Sequence, residues 1–319
     1  MHDCSMRAYD PERDEMPLYH LWQRTLGELW PLTRAAFHAV TVGHPAYRAG
    51  DHLVAEAGEQ VIGFVGTQTW RVPDEAAPRG ELVAIVVDPA HRRRGVGRAL
   101  LEHGLRILDG RGVGQVQVGG GGCCYFWPGV PANLPGAWAF FAACGWQEAE
   151  RSYDLVADLA GYATPPYVYQ RIRRPGVEIA TASAEDIPAV LRFEAQHMAE
   201  WLHFYRHVAE GGGHADIVLA RHPDLGVVGT SCVLDPRAPW SEGEFTWERL
   251  LGRDCGGVGP LGVMEAVREK GIGLALAARV TELLQQRGLG MSYVGWTWLV
   301  DWYGRLGYRV WREYVMSWK

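Results

Sequence analysis

Residues 91–100 read HRRRGVGRAL, and residues 267–276 read VREKGIGLAL. Both fit Arg-x-x-Gly-x-Gly, and an apolar pattern with helical spacing follows each. Each arginine, Arg92 and Arg268, stands five residues after the valine that closes a run rich in β-branched residues, Val87 and Val263. A phrase set at the same place in two long blocks marks a duplicated domain, not a short solenoid unit. At 319 residues the chain is long for one core, and two domains suit it better.

The order of predicted elements repeats as well. A strand at 6–9 is followed by helical patterns at about 12–27 and 31–42, then by strands at 52–57, 60–70 and 81–87. A helix opens after Gly95, with Val96, Leu100, His103 and Ile107 on one face. A strand at 115–119, a Gly/Pro-rich loop at 119–136, a short helix at 137–143 and a closing hairpin over 146–158 complete the block. Residues 161–176, GYATPPYVYQRIRRPG, read as a connector, with YVYQRI the candidate for an edge strand. The order then restarts with a strand at 177–181. Ser183 caps a helical pattern reaching about 209, and strands are expected at 216–221, 226–234 and 257–264. A helix at 271–287, a strand at 291–296, a short helix at 299–305 and a strand at 308–317 close the chain. The expectation is an α/β chain with mixed sheets: an N-terminal domain over 1–160, a linker over 161–176 and a C-terminal domain over 177–319.

The repeated phrase has a physical use. The first turn of a helix carries backbone N–H groups without intrahelical partners, at the positive end of the macrodipole. A phosphate placed there gains several hydrogen bonds, and glycine lets it approach the backbone. Arg92, Arg93, Arg94 and Arg98 add charge suited to a diphosphate. In the second copy Lys270 is the added cation.

Both halves resemble GNAT-fold N-acetyltransferases, whose acyl-CoA motif is R/Q-x-x-G-x-G/A between a splayed strand and a helix. The resemblance covers the whole chain as a tandem pair. It implies that the backbone of Ile85, Val86 and Val87, and of Leu261, Gly262 and Val263, pairs with the pantetheine arm of acetyl-CoA. It implies that the amides of Arg93, Arg94, Gly95, Val96, Gly97 and Arg98 hold the pyrophosphate in one half. Those of Glu269, Lys270, Gly271, Ile272, Gly273 and Leu274 do so in the other. The second half departs at Glu265, where the first has Pro89.

The implied reaction moves an acetyl group from acetyl-CoA to a primary amine of a small molecule or peptide, by direct attack in a ternary complex. The alternatives are a non-catalytic acyl-CoA-binding protein, or one catalytic half beside a scaffold. The family often protonates the leaving thiolate with a tyrosine in Y-x-x-x-G-F/Y. Residues 303–308, YGRLGY, fit this and nominate Tyr303, whereas the first half has Phe141 at that place. Tyr303 also reads as a core aromatic among Trp296, Trp298 and Trp302. Histone-type members use a glutamate early on the strand as a base. Glu81 stands there, and Gly257 stands at the matching place in the second half. An exposed strand-end charge is the other reading of Glu81. In the 119–136 loop, Tyr125, Phe126 and Trp127 either wall an acceptor pocket or pack the loop.

Other chemistry is poorly supported. The net charge of −6 lacks the basic excess of a nucleic-acid binder. No run of apolar residues reaches the roughly 18 that span a bilayer, and the charged N-terminal stretch lacks a signal-peptide core. A cytoplasmic monomer or homodimer is the expectation. Residues 257–262 fit G-x-G-x-x-G but sit in a strand with Pro260 inside, and no P-loop occurs. His203 and His207, four apart with His197 nearby, lack the HExxH frame or carboxylate that would complete a metal site, and adjacent Cys123 and Cys124 suit no common zinc spacing.

Overall fold

The computed structural model describes residues 4–44, 47–71, 76–120, 125–173, 176–241 and 246–319. Two units share the chain. One holds 1–152, 246–250 and 313–319; the other holds 153–245 and 251–312.

In the first unit β1 (Cys4–Ala8) leads into α1 (Pro11–Leu26), whose start is fixed by Asp10 accepting from the Glu12 amide and by Pro11 in the first turn. Then come α2 (Arg34–Val40), β2 (His52–Ala57), β3 (Gln60–Trp70) and β4 (Arg79–Val87). After them run α3 (Val96–Gly110), β5 (Gln115–Val118), β6 (Val130–Pro131), α4 (Pro135–Ala143) and β7 (Glu150–Asp158). The sheet order is β1-β2-β3-β4-β5, antiparallel except for the parallel β4–β5 pair. Alternation along the strands gives the sheet two apolar faces. Val96, Leu100 and Leu108 of α3 cover Val65 and Leu82 on one. Leu18, Leu21 and Trp22 of α1 and Phe37 of α2 are buried on the helices of the other. The chain's last residues extend this unit: Val116 and Lys319 exchange backbone hydrogen bonds of 2.6 and 2.8 Å.

The second unit begins with 153–158 of β7 and continues through α5 (Tyr167–Arg173), β8 (Glu178–Thr181), α6 (Ile187–His197), α7 (Leu202–Glu210), β9 (Ile217–His222) and β10 (Gly226–Leu234). After α8 (Glu248–Leu251), a single turn whose first three residues belong to the first unit, come β11 (Cys255–Val258), β12 (Gly262–Val263), α9 (Ile272–Gln286), β13 (Met291–Thr297), α10 (Val300–Gly304) and β14 (Arg309–Met316), which belongs to the first unit from residue 313 on. Its strands run β8-β9-β10-β11-β13, and β7 lies antiparallel against β13. The small residues of α9, Ala275, Ala277 and Ala278, bring the helix close to the sheet.

Four expectations change. The 146–158 hairpin is one strand: Trp146 packs on Phe141, and the Ala149 amide bonds Met316, so the chain's end supplies the partner. The connector contains α5, because Val168 and Ile172 at i, i+4 bury one face and Pro165 and Pro166 precede its start. The long 183–209 helix breaks at Met198, whose side chain lies where a Gly262 Cβ would stand, 2.7 Å from its Cγ. The 257–264 strand divides into β11 and β12 around Gly259-Pro260-Leu261, where proline lacks a ladder donor.

Candidate active site

The two copies of Arg-x-x-Gly-x-Gly have the same geometry. Arg92 Nε donates to the Val87 carbonyl at 3.1 Å; Arg268 Nε donates to that of Val263 at 3.2 Å. The motif arginine therefore first staples the loop to the end of its strand. The next residue is left-handed in each, Arg93 at φ 62° and Glu269 at φ 65°. The first motif glycine is too, Gly95 at 88° and Gly271 at 89°. Side chains other than glycine rarely adopt this region, so two such residues per loop indicate a constrained, purposeful turn. Their effect is to turn amides in one direction. Among the described residues the N–H groups of 93–98 and of 269–274 have no backbone acceptor. The first α3 bond is Ala99 to Gly95, and the first α9 bond is Ala275 to Gly271.

An aromatic ring covers the second motif glycine in each unit. A Cβ on Gly97 would lie 3.4 Å from Phe140, and one on Gly273 would lie 3.3 Å from Trp302. The charges differ. Arg92, Arg93, Arg94 and Arg98 are exposed around the first loop; Arg268, Glu269 and Lys270 are exposed around the second.

Each loop follows an opened strand. β4 pairs with β5 only from Arg79 to Leu82, and among the described residues 83–87 have no β5 partner. Ile85 and Val87 are half-buried there and Val86 is buried. β11 pairs with β13 only from Cys255 to Gly257, so Leu261, Gly262 and Val263 lie beyond the ladder. β4 carries a one-residue bulge at Val83, and β11 and β12 differ by one residue in their register against β10, the extra residue falling within 259–261.

The candidate chemical groups are distributed unequally. Glu81 is buried, not a solvated strand end, and accepts from Gln68 Nε2 at 2.6 Å. Phe141 occupies the late-helix position of that unit and is buried. Tyr125 is half-buried. Phe126 and Trp127 are buried against Trp22, with centroids 4.4 and 5.2 Å away, and Trp127 meets Trp30 at 5.7 Å. They pack as core. Cys123 and Cys124 lie outside the described residues. In the second unit Tyr303 is 7% exposed, packed edge-on against Trp302 and Tyr308. Among the described residues nothing hydrogen-bonds its hydroxyl, and burial pushes its pKa up, so it stays protonated through the physiological range.

Sequence reasoning missed three features of the second unit. Arg171 of α5 reaches the second loop, a contact between residues far apart in sequence. Trp296 takes φ 47° and its amide bonds the buried Asp154 carboxylate at 2.9 Å; no local pattern signals a left-handed tryptophan. Glu194 is fully buried on α6, and an acidic residue in a helical pattern ordinarily reads as solvent-facing. Among the described residues no group of His, Cys, Asp or Glu is placed to hold a metal, and no helix is long and apolar enough to cross a membrane.

Free amides at a helix start beside an opened strand, which suit an anion, are thus built twice in this chain. Residues 16–146 match the acetyltransferase (GNAT) family. The [ribosomal protein bS18]-alanine N-acetyltransferase of Escherichia coli is 32% identical over 135 residues, 39% of this chain and 82% of that protein. The mycothiol acetyltransferase of Clavibacter michiganensis is 29% identical over 258 residues, 74% of this chain and 71% of that protein. The GCN5-related glucosamine N-acetyltransferase region of a fungal multi-domain GH3 β-N-acetylglucosaminidase superposes with a TM-score of 0.90 at 27% identity. It covers 100% of this chain, which spans 38% of that longer protein. A tandem GNAT protein from the clavulanic acid biosynthesis pathway shares the fold over 99% of this chain and 98% of its own, with a TM-score of 0.64 at 18% identity. The chain belongs to the GNAT family and is an acetyl-CoA-dependent N-acetyltransferase with tandem domains.

Proposed function

We propose that the chain acetylates the primary amine of an amino sugar of the glucosamine type, with the chemistry in the C-terminal half. The observation that carries the coenzyme side is the twin cradle: left-handed Arg93/Gly95 and Glu269/Gly271 opening helices whose first amides are free. Acetyl-CoA would lay its pyrophosphate there and its pantetheine along 85–87 or 261–263. Two observations support the acceptor. The glucosamine N-acetyltransferase region is the relative that superposes at 0.90 over the whole chain. Trp298 and Leu299, 49% and 53% exposed, stand just before α10, and the Trp298 ring offers an apolar face of the kind a pyranose ring can cover.

The neutral amine attacks the thioester carbon. The nitrogen–carbon bond forms, the carbon–sulfur bond breaks, Tyr303 gives its proton to the departing thiolate, and the proton the amine sheds passes through solvent to restore the tyrosine, leaving the amide and the free thiol. Positioning by the cradle supplies several kcal/mol, and the placed acid adds about 10²–10⁴-fold. The first half keeps the better-charged cradle but has Phe141, which has no proton to give, and buries Phe126 and Trp127. It acts as the coenzyme-binding, non-turnover half. The family match at 16–146 favours a second reading, in which Glu81 serves as base there.

Thiol release from acetyl-CoA over glucosamine, aminoglycoside, polyamine and peptide amines tests this. Tyr303→Phe is expected to lower kcat by at least about tenfold, and Glu81→Gln to leave it near wild type. Turnover that survives Tyr303→Phe but not Glu81→Gln moves the chemistry to the first half. A panel in which peptides turn over and amino sugars do not removes the acceptor assignment.

A further inference from the structure

We infer that Arg171, from the segment joining the two repeats, is a phosphate ligand of the second coenzyme cradle; this rests on the reading above that 269–274 hold acetyl-CoA. The two cradles match in backbone but not in charge. Where the first has Arg93, Arg94 and Arg98, the second has Glu269, Lys270 and Leu274. A diphosphate at the second loop would meet a carboxylate in place of a guanidinium, yet the loop keeps the left-handed pair and the free amides.

Helix α5 supplies what is missing. Val168 and Ile172 are buried, so the helix is seated firmly, and it packs on α9. From that seat Arg171 reaches the loop. One of its terminal nitrogens donates to the Glu269 carbonyl at 3.3 Å. Its Cβ and Nε lie 3.0 and 3.5 Å from where a Gly271 Cβ would stand. Nothing lies within 4 Å of the corresponding point on Gly95. Arg171 is exposed, and a guanidinium has five N–H donors, of which this contact uses one. A planar, always-charged fork fixed at the rim of an amide cradle is the arrangement that binds phosphate oxygens in pairs. The carbonyl contact holds the fork in place before coenzyme arrives, which reduces the ordering cost of binding.

The test is calorimetric titration of full-length protein with CoA and with dephospho-CoA. Wild type, Arg171→Ala and Arg171→Lys are compared, each also in an Arg93→Glu/Arg94→Glu background that disables the first cradle. Wild type is expected to show two sites. Arg171→Ala weakens one of them about tenfold and flattens its salt dependence, Arg171→Lys falls between, and the loss persists in the charge-reversed background. An equal loss with dephospho-CoA places the contact on the pyrophosphate; a loss seen with CoA alone places it on the 3′-phosphate. Unchanged affinity in Arg171→Ala overturns the inference. So does tighter binding, which would make the arginine a plug, and so does absence of binding in the charge-reversed background. A wild-type chain that binds no CoA overturns the proposed function as well, whereas bound CoA with an unaffected Arg171→Ala overturns this inference alone.

Discussion

Glu194 accepts a 2.5 Å hydrogen bond from the hydroxyl of Thr230, and both side chains are fully buried. Thr230 is the cross-strand partner of Gly262, and beside it the Tyr205 hydroxyl donates to the Pro260 carbonyl at 2.7 Å. The carboxyl thus lies behind the interrupted strand of the second cradle. Burial pushes its pKa up to about 8, against the lowering effect of Thr230. A carboxyl raised above its unfolded value stabilises the fold only while protonated. Its contribution is fully present below pH 4.5 and is lost as pH rises towards 8, at up to ~1.4 kcal/mol per pH unit. Glu194→Gln cannot ionise and still offers Thr230 an acceptor. Its melting temperature is expected to match wild type at pH 5 and exceed it at pH 8. Parallel melting-versus-pH curves would show that the side chain does not titrate in this window.

His52 of the first unit works in the opposite sense. It is 1% exposed among Tyr9, Tyr47 and Phe64, with His44 a further repelling charge, and burial lowers its pKa to about 4. The folded state holds the neutral ring and the unfolded state takes the proton first. Stability is present above pH 6.5 and is lost as pH falls through 4. His52→Phe keeps an aromatic of similar size. It is expected to lessen acid denaturation between pH 6 and 4, followed by near-ultraviolet dichroism, and to leave the alkaline limb governed by Glu194 unchanged. A variant as acid-sensitive as wild type would clear His52 of this role.

The end of the chain completes the first unit's sheet. Val116 and Lys319 bond each other twice, the Val118 amide bonds the Ser317 carbonyl at 3.1 Å, and Lys319 Nζ reaches the Cys144 carbonyl at 3.1 Å. Removing 317–319 deletes these bonds and exposes one edge of β5. At about 1 kcal/mol per ladder bond, the melting temperature of that unit should fall by roughly 5–10 °C. Hydrogen exchange should accelerate at Val116 and Val118 while residues 255–258 keep their protection. Unchanged exchange at Val116 would show that these pairings carry no stability.

How legible this was depends on how local each feature is. The strands 52–57 and 60–70 read correctly because period-two patterning and their flanking turns lie within the segment. The cradles were legible because Arg-x-x-Gly-x-Gly encodes a backbone shape: glycine is the residue that takes φ near +88° cheaply. The break at Met198 was not: its side chain packs over Gly262, on a strand far along the chain, and no local pattern marks that contact. Nor was the burial of Phe126 and Trp127. A Gly/Pro-rich loop with aromatics looks the same whether its rings face a ligand or stack on Trp22 and Trp30. The partners of β7 and of residues 313–319 escaped because each segment joins strands from the other half of the sequence, and patterning carries no address.

The two left-handed glycines of the repeated phrase should respond differently to the same change. At Gly95 an added Cβ meets only the intrinsic cost of alanine at φ 88°, about 1–2 kcal/mol, because nothing stands within 4 Å. At Gly271 the φ of 89° imposes the same cost, and the Cβ would also lie 3.0 Å from the Arg171 Cβ. That neighbour belongs to a seated helix, so it yields less readily than the far end of a flexible side chain. Gly271→Ala is therefore expected to destabilise more than Gly95→Ala in chemical denaturation, and Arg171→Gly is expected to recover only the excess. Equal losses at the two glycines, or an excess that persists in Gly271→Ala/Arg171→Gly, would show that α5 does not press on the second loop.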